Sequence, residues 1–149
     1  MERGESLPDW STRAKPDVFQ SVAVLAHVAT RLRDMHDAGY VHRDIKPGNM
    51  MLLQRENRWT VIDFGCAARS GEVAPLAYTL AYAPPEVAKA VDAGARTIEV
   101  APAIDAWALG VVAFELLTGQ SAFKLVLEGR DSVRLPPHAG ISSVIPQSG

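Results

Sequence analysis

The sequence contains one cysteine, Cys66, so no disulfide can form within the chain and no cysteine-based zinc site is available. No apolar run reaches the length of about 18 residues that suggests a membrane span. The opening residues, MERGESLPDW, lack the apolar core of a signal peptide. A net charge of −2 offers no positive field for nucleic acid or an anionic membrane. These absences favour an intracellular, cytoplasmic protein that neither spans a membrane nor binds nucleic acid.

The remaining composition is that of an ordinary globular protein. Hydrophobic residues make up 48% and charged residues 21% of 149 residues, which is the length of one domain. We divide the chain into a polar segment over residues 1–16, a central unit over 17–123 and a tail over 124–149. The first segment is expected to be a loop with at most a short helix. The tail is expected to be mostly irregular, because its composition becomes rich in Ser, Gly and Pro.

The most informative stretch is residues 40–65, YVHRDIKPGNMMLLQRENRWTVIDFG. Its first part sets Asp44, Lys46 and Asn49 close together, with a Pro and a Gly between them. Since Pro removes a backbone donor and Gly relaxes the backbone, this part cannot be a helix interior. It is therefore predicted to be a tight loop that carries three polar side chains.

A β-hairpin is predicted directly after this loop. Met50–Leu53 and Trp59–Ile62 have the composition of strands, and the residues between them form a polar turn. Such a hairpin would bring Asp63, which follows the second strand, back beside Asn49.

This set of side chains suits phosphoryl transfer. Asn49 and Asp63 supply hard oxygen ligands, which Mg²⁺ prefers and usually supplements with substrate phosphates. Asp44 could accept a proton from a hydroxyl group. Lys46 could neutralise charge on a transferring phosphoryl group.

The same residues carry a family resemblance. Residues 42–49, HRDIKPGN, closely resemble the catalytic loop of protein kinases, and residues 63–65, DFG, resemble the metal-binding motif that follows it. A lysine two residues after the aspartate is the serine/threonine-type pattern. The resemblance implies a mainly α (α+β) fold: a C-terminal kinase lobe with a small β-hairpin that carries the catalytic loop, without the N-terminal lobe.

The resemblance also implies roles for individual residues, with ATP and Mg²⁺ as cofactors and a Ser or Thr hydroxyl of a protein as acceptor. Asp44 would be the catalytic base, and Lys46 would contact the γ-phosphate of ATP. Asn49 and Asp63 would hold Mg²⁺. Met51 would line the floor of the adenine site, although a plain core methionine is the alternative.

Residues 66–83 show no clear period, which inside a compact domain indicates a functional segment. They resemble the kinase activation segment, which here ends in YAPPE, residues 82–86, where A-P-E is usual. Thr79 matches the threonine that bonds the catalytic Asp and Lys in this family. An ordinary loop threonine is the alternative.

A first long helix is predicted after Asp17, a suitable N-cap, and before Gly39, a suitable residue to follow its end. Apolar residues recur at three- and four-residue steps and predict the buried face. They are Val18, Val22, Leu25, Val28 with Ala29, Leu32 and Met35.

A second helix is predicted over Asp105–Thr118, with Asp105 as its cap and Gly119 at its end. It is apolar nearly all round and is therefore expected to be buried. By resemblance Asp105 bonds the backbone of the catalytic loop and has a structural role. The residues between 86 and 105 are interpreted as a surface insertion.

Three further side chains near the motifs have a structural and a functional interpretation. His42 is expected to be a packing residue, with Phe64 in the core beside it. Arg43 either tethers a phosphorylated or acidic residue, for which Ser70 and Glu72 are candidates, or is solvated.

The sequence contains no G-x-G-x-x-G and no V-A-I-K motif, which in this family hold the ATP phosphates. We therefore expect negligible phosphorylation by this chain alone. The first hypothesis is a partial Ser/Thr protein kinase. The second is an inactive kinase-like lobe that serves as a binding or regulatory module, or a truncated product. A small-molecule kinase is a third, which Thr79 and the YAPPE ending disfavour.

Overall fold

The computed structural model describes residues 4–123, which form a mixed α/β structure. No helix within this range is long and apolar enough to cross a membrane. The predicted irregular tail lies outside the described residues. The helices are α1 (Leu7–Ala14), α2 (Val18–Asp37), α3 (Pro85–Asp92) and α4 (Ala103–Thr118). The strands are β1 (Gly4–Ser6), β2 (Tyr40–Val41), β3 (Met50–Leu53), β4 (Arg58–Val61), β5 (Ala68–Arg69), β6 (Val73–Pro75) and β7 (Thr97–Glu99).

The predicted hairpin is present as β3 and β4, which pair antiparallel from Met50 opposite Val61 to Leu53 opposite Arg58. The second strand is one residue earlier than expected. β1 adds a third strand on the other side of β3, with Ser6 opposite Met51. The sequence did not predict β1, which ties the polar N-terminal segment to the hairpin.

The ends of α2 are those that the sequence predicts. The Asp17 side chain accepts from the N–H of Gln20, whose side chain accepts from the Asp17 N–H, and Gly39 follows the helix at φ 85°. The predicted buried face is partly wrong, because Val18 and Val22 are 62% and 51% exposed. The buried residues of α2 are Ser21, Val24, Val28 and Leu32.

One apolar core joins α1, α2, α4 and the hairpin. Trp59 of β4 lies in it and meets the ring of Trp10 edge-on, at 5.1 Å between centroids. The buried members are Leu7, Val24, Val28, Leu32, Ile45, Met50, Trp59, Val61, Ala108 and Val112. Because Ile45 lies within the predicted catalytic loop and Met50 directly follows it, this core anchors the loop at its centre and at its end.

α4 differs from its prediction in two ways. The helix begins at Ala103 after Pro102, so Asp105 lies inside the first turn and is not the cap. Its burial is one-sided, because Trp107 and Phe114 are 40% and 46% exposed. Gly119 ends the helix at φ 68°, as predicted.

Two short pairs of antiparallel strands fix the position of the segment that follows the hairpin. β5 pairs with β2, immediately before the predicted catalytic loop. β6 pairs with β7, which lies in the stretch interpreted as a surface insertion. That stretch therefore contains regular structure, α3 and β7.

Candidate active site

Three donors converge on the carboxylate of Asp44. The Thr79 hydroxyl donates to Oδ1 at 2.8 Å. Lys46 Nζ lies 2.9 Å from Oδ2, and Asn49 Nδ2 donates to the same oxygen at 3.0 Å. The structure thus brings together the four side chains for which the sequence predicts catalytic roles.

These contacts limit how many further hydrogen bonds the Asp44 carboxylate can accept. An ionised carboxylate offers about four lone-pair positions, and the three donors occupy most of them. The Asp44 side chain is 14% exposed, so part of it remains accessible to solvent. Thr79 also accepts from Lys46 Nζ at 3.3 Å, which closes the network. The arrangement fixes the orientation of Asp44 and leaves part of the side chain accessible to solvent.

Asp105 holds the backbone of the loop that carries Asp44. Its side chain is fully buried, and its two oxygens accept from the backbone N–H groups of His42 and Arg43, each at 2.8 Å. His36 Nε2 lies 2.8 Å from one of these oxygens. Asp105 therefore has the structural role that the resemblance implied, and His36 is a partner that the sequence gave no reason to single out.

His42 is a packing residue, as expected. Its ring is fully buried, with Nε2 3.0 Å from the carbonyl of Ile62, while Nδ1 accepts from the Asp44 N–H at 3.3 Å. These two contacts assign the tautomer with hydrogen on Nε2. Phe64 is 5.3 Å from this ring, but it is 55% exposed and so is not a core residue.

Arg43 does not contact Ser70 or Glu72. Its guanidinium donates to the backbone carbonyls of Cys66 and Pro75, and its side chain is buried. Burial lowers the pKa of Arg43, and the field of Asp105 opposes this shift. The residue adopts φ 71°, a left-handed conformation that is uncommon outside glycine.

Asn49 and Asp63 lie at adjacent strand ends. The Ile62 N–H donates to the Asn49 carbonyl at 2.9 Å, which places Asp63 next to Asn49. Asn49 uses its NH₂ group on Asp44, so its side-chain oxygen is the atom left to bind a cation. Asp63 is exposed, and one carboxylate oxygen accepts from the Gly65 N–H at 3.3 Å.

This donor set fits Mg²⁺. It offers one amide oxygen and one carboxylate, and Mg²⁺ is usually held by one or two protein groups together with phosphates and waters. Within residues 4–123 no cluster of three or more His, Cys, Asp or Glu forms a self-sufficient metal site. A cation at this place would therefore depend on a phosphate-bearing partner.

Met51 lies on the central strand of the three-stranded sheet, between Ser6 and Thr60. It is half-buried, and its sulfur lies so close to Gly4 that a Cβ there would be 2.1 Å away. A side chain at residue 4 would therefore require Met51 to change its conformation. The predicted adenine-floor role of Met51 stays a prediction.

The pKa of the Cys66 thiol is affected by its burial and by nearby charges. Burial raises the pKa of its thiol, and the carboxylates of Asp44 and Asp63 raise it further. Nearer the end of the segment, the Tyr82 hydroxyl donates to the carboxylate of Glu115 on α4 at 2.8 Å. Burial of the phenol and this hydrogen bond both raise the pKa of Tyr82.

Comparison with known proteins gives one consistent result. Residues 3–134 match the protein kinase domain. Myotonin-protein kinase of Homo sapiens is 40% identical over 104 residues, which are 66% of this chain and 16% of that protein. The serine/threonine-protein kinases drp72 of Corynebacterium efficiens are 38% identical over 129 residues, 81% of this chain and 23% of that protein. Serine/threonine-protein kinase PknJ of Mycobacterium bovis is 35% identical over 128 residues, 80% of this chain and 20% of that protein.

A match of this extent defines the class: the chain belongs to the protein kinase family. The named relatives are serine/threonine kinases or a myotonin-protein kinase, and the chain spans less than a quarter of the length of each.

Proposed function

We propose that this chain carries the phosphoryl-transfer half of a serine/threonine protein kinase site, in the C-terminal lobe of the domain. The observation that carries the proposal is the network in which Thr79, Lys46 and Asn49 hold the Asp44 carboxylate. The substrates are ATP and a protein with a Ser or Thr hydroxyl.

In this proposal Asp44 receives the proton of the acceptor hydroxyl as the hydroxyl oxygen bonds to the γ-phosphorus of ATP. The bond from that phosphorus to the β,γ-bridging oxygen breaks, and ADP leaves with the electron pair. Lys46 then faces the charge on the transferred group, and Thr79 keeps both side chains oriented. Mg²⁺ held by Asn49 and Asp63 would supply neutralisation of phosphate charge.

The test uses the longest natural translation product that contains these residues, with the 149-residue chain beside it. With Mg-ATP and a Ser/Thr peptide library, the longest product is expected to phosphorylate Ser or Thr, and Asp44→Asn to lower the rate about 10²–10⁴-fold. Asp92→Asn, an exposed carboxylate at the end of α3, is the matched control and should keep the parent rate. Equal rates for Asp44→Asn and the parent would contradict the proposal.

The chain alone is expected to show negligible turnover, because its sequence contains neither the Gly-rich loop nor the strand lysine. The same absence favours a second candidate, a kinase-like module that binds a partner without catalysis. Turnover by the 149-residue chain that disappears in Asp63→Ala would exclude this second candidate and correct our expectation for the chain.

A further inference from the structure

The segment between residues 66 and 83 is paired along part of its length with β7, a strand from the connection between α3 and α4. Backbone bonds continue the pairing beyond both strands. The N–H of Gly71 donates to the carbonyl of Val100, and the Val100 N–H donates to Glu72, each at 2.8 Å. At the other end the Leu76 N–H donates to Arg96 at 2.9 Å. The pairing therefore spans residues 71–76.

A small apolar cluster connects this pairing to the catalytic loop. Ala74 of β6 and Val100 are buried against Val41, with Ala68 of β5 at the edge. Val41 is fully buried and directly precedes His42. A displacement of β7 would thus open the packing of the strand that leads into the loop.

Arg43 adds a second connection. It is 6% exposed, and its guanidinium binds the carbonyls of Cys66 and Pro75, at the start of the segment and at the end of β6. Two backbone carbonyls of the same segment thus accept hydrogen bonds from the buried Arg43 guanidinium. The contacts form with the segment unphosphorylated.

Thr79 follows Pro75 by four residues, so the reach from β6 is at most about 14 Å. Fixing β6 limits where the Thr79 hydroxyl can go, and it lies 2.8 Å from Asp44. Each residue fixed in advance removes conformational entropy that the contact would otherwise have to overcome.

We propose that β7 is a positioning strand for the active site: by pairing with β6 it holds Thr79 on Asp44 and Lys46 in the unmodified chain, with no phosphate on the segment. The inference rests on the proposed function for the purpose of the Thr79 contact, whereas the restraint itself is a property of the fold.

The first test measures amide hydrogen exchange of the unphosphorylated 149-residue chain. Ile98→Pro removes the N–H opposite Ala74 and is expected to speed exchange over residues 71–79 at least about tenfold. Ile98→Val keeps the N–H and the β-branch and serves as the matched control. Exchange in α2 should stay at the parent rate in both variants. If Ile98→Pro leaves residues 71–79 at the parent rate, the proposal is wrong.

Val100→Ala provides a milder second variant in case Ile98→Pro does not fold. It removes two methyl groups from a site that is 1% exposed and should speed exchange over residues 71–76 about tenfold. Unchanged exchange in a folded Val100→Ala protein would overturn the proposal.

Lysine acetylation gives a readout at the site itself. In the parent, Lys46 should react more slowly than the exposed Lys89, because its Nζ is held by Asp44 and Thr79. Ile98→Pro should raise the reactivity of Lys46 alone. Equal reactivity of Lys46 in parent and variant would contradict a positioning role for β7.

Ser70→Glu tests whether the segment needs added negative charge. We expect no gain in protection over residues 71–79, and a gain of tenfold or more would overturn the proposal. None of these measurements requires ATP. Protection with no kinase activity in the longest product would therefore contradict the proposed function and support the restraint by β7.

Discussion

Replacing Asp105 by Asn tests whether one buried carboxylate fixes the shape of the proposed catalytic loop. The side chain is 0% exposed and accepts from the N–H groups of His42 and Arg43 and from His36. Asn has the same shape but only one acceptor oxygen, so its NH₂ group must face a backbone N–H. One loop amide then has no acceptor.

The expected cost follows from these contacts. A hydrogen bond to a charged group contributes about 1.5–3 kcal/mol, and a buried donor left without a partner costs about 1–3 kcal/mol. Their combination predicts a loss of about 3–5 kcal/mol in the free energy of unfolding. This is a large part of the total of about 5–15 kcal/mol expected for a domain.

Urea unfolding followed by tryptophan fluorescence measures the loss. With a slope of about 1–3 kcal/mol/M, a loss of about 3–5 kcal/mol should lower the midpoint by about 1–5 M. Asp34→Asn is the matched control, since Asp34 pairs with Arg31 and Arg33 on the surface and its replacement should cost at most about 1 kcal/mol. The reasoning is refuted if Asp105→Asn is no more destabilising than Asp34→Asn.

Three further predictions concern single side chains. Thr79→Val keeps the size but removes the donor to Asp44, so the free energy of unfolding should fall by about 1–2 kcal/mol, whereas Thr79→Ser should match the parent. Because burial raises the pKa of Cys66, the rate of its alkylation should reach half its maximum at a pH above the ordinary thiol pKa of about 8.5. A midpoint at or below that pH would contradict this prediction. Burial and Glu115 raise the pKa of Tyr82, so the folded state favours the neutral phenol. This contribution to the free energy of unfolding is fully present below about pH 10 and is lost as the pH rises further. Glu115→Gln should lower the pKa of Tyr82 in a tyrosinate titration, and an unchanged value would be contrary.

Features set by neighbouring residues could be predicted from the sequence. The cap at Asp17 and the turn at Gly39 depend on a few adjacent positions, and the structure has both. The grouping of Asp44, Lys46 and Asn49 follows from six residues of loop. Local geometry decides these features, so short patterns are enough to predict them.

Features set by distant residues could not be predicted. Ser21 is buried on α2 by the packing of that helix, and its hydroxyl is satisfied locally by the Asp17 carbonyl at 2.8 Å, so an apolar pattern does not reveal its burial. His36 meets Asp105 across 69 residues of sequence, and no spacing rule connects them. The pairing of β6 with β7 likewise joins two stretches with no periodic pattern.

The backbone at the site shows why motif and fold depend on each other. Arg43 and Asp63 adopt φ 71° and 62°, and each such non-glycine residue costs about 1–3 kcal/mol and persists only where its surroundings hold it. For Arg43 the holding contacts come from Asp105 on α4 and from the carbonyls of Cys66 and Pro75. A peptide with the loop sequence alone has none of these partners and would relax. The arrangement of the candidate site therefore forms together with the packing of α4, and a substitution at Asp105 can remove it without changing any residue that we propose to face the substrate.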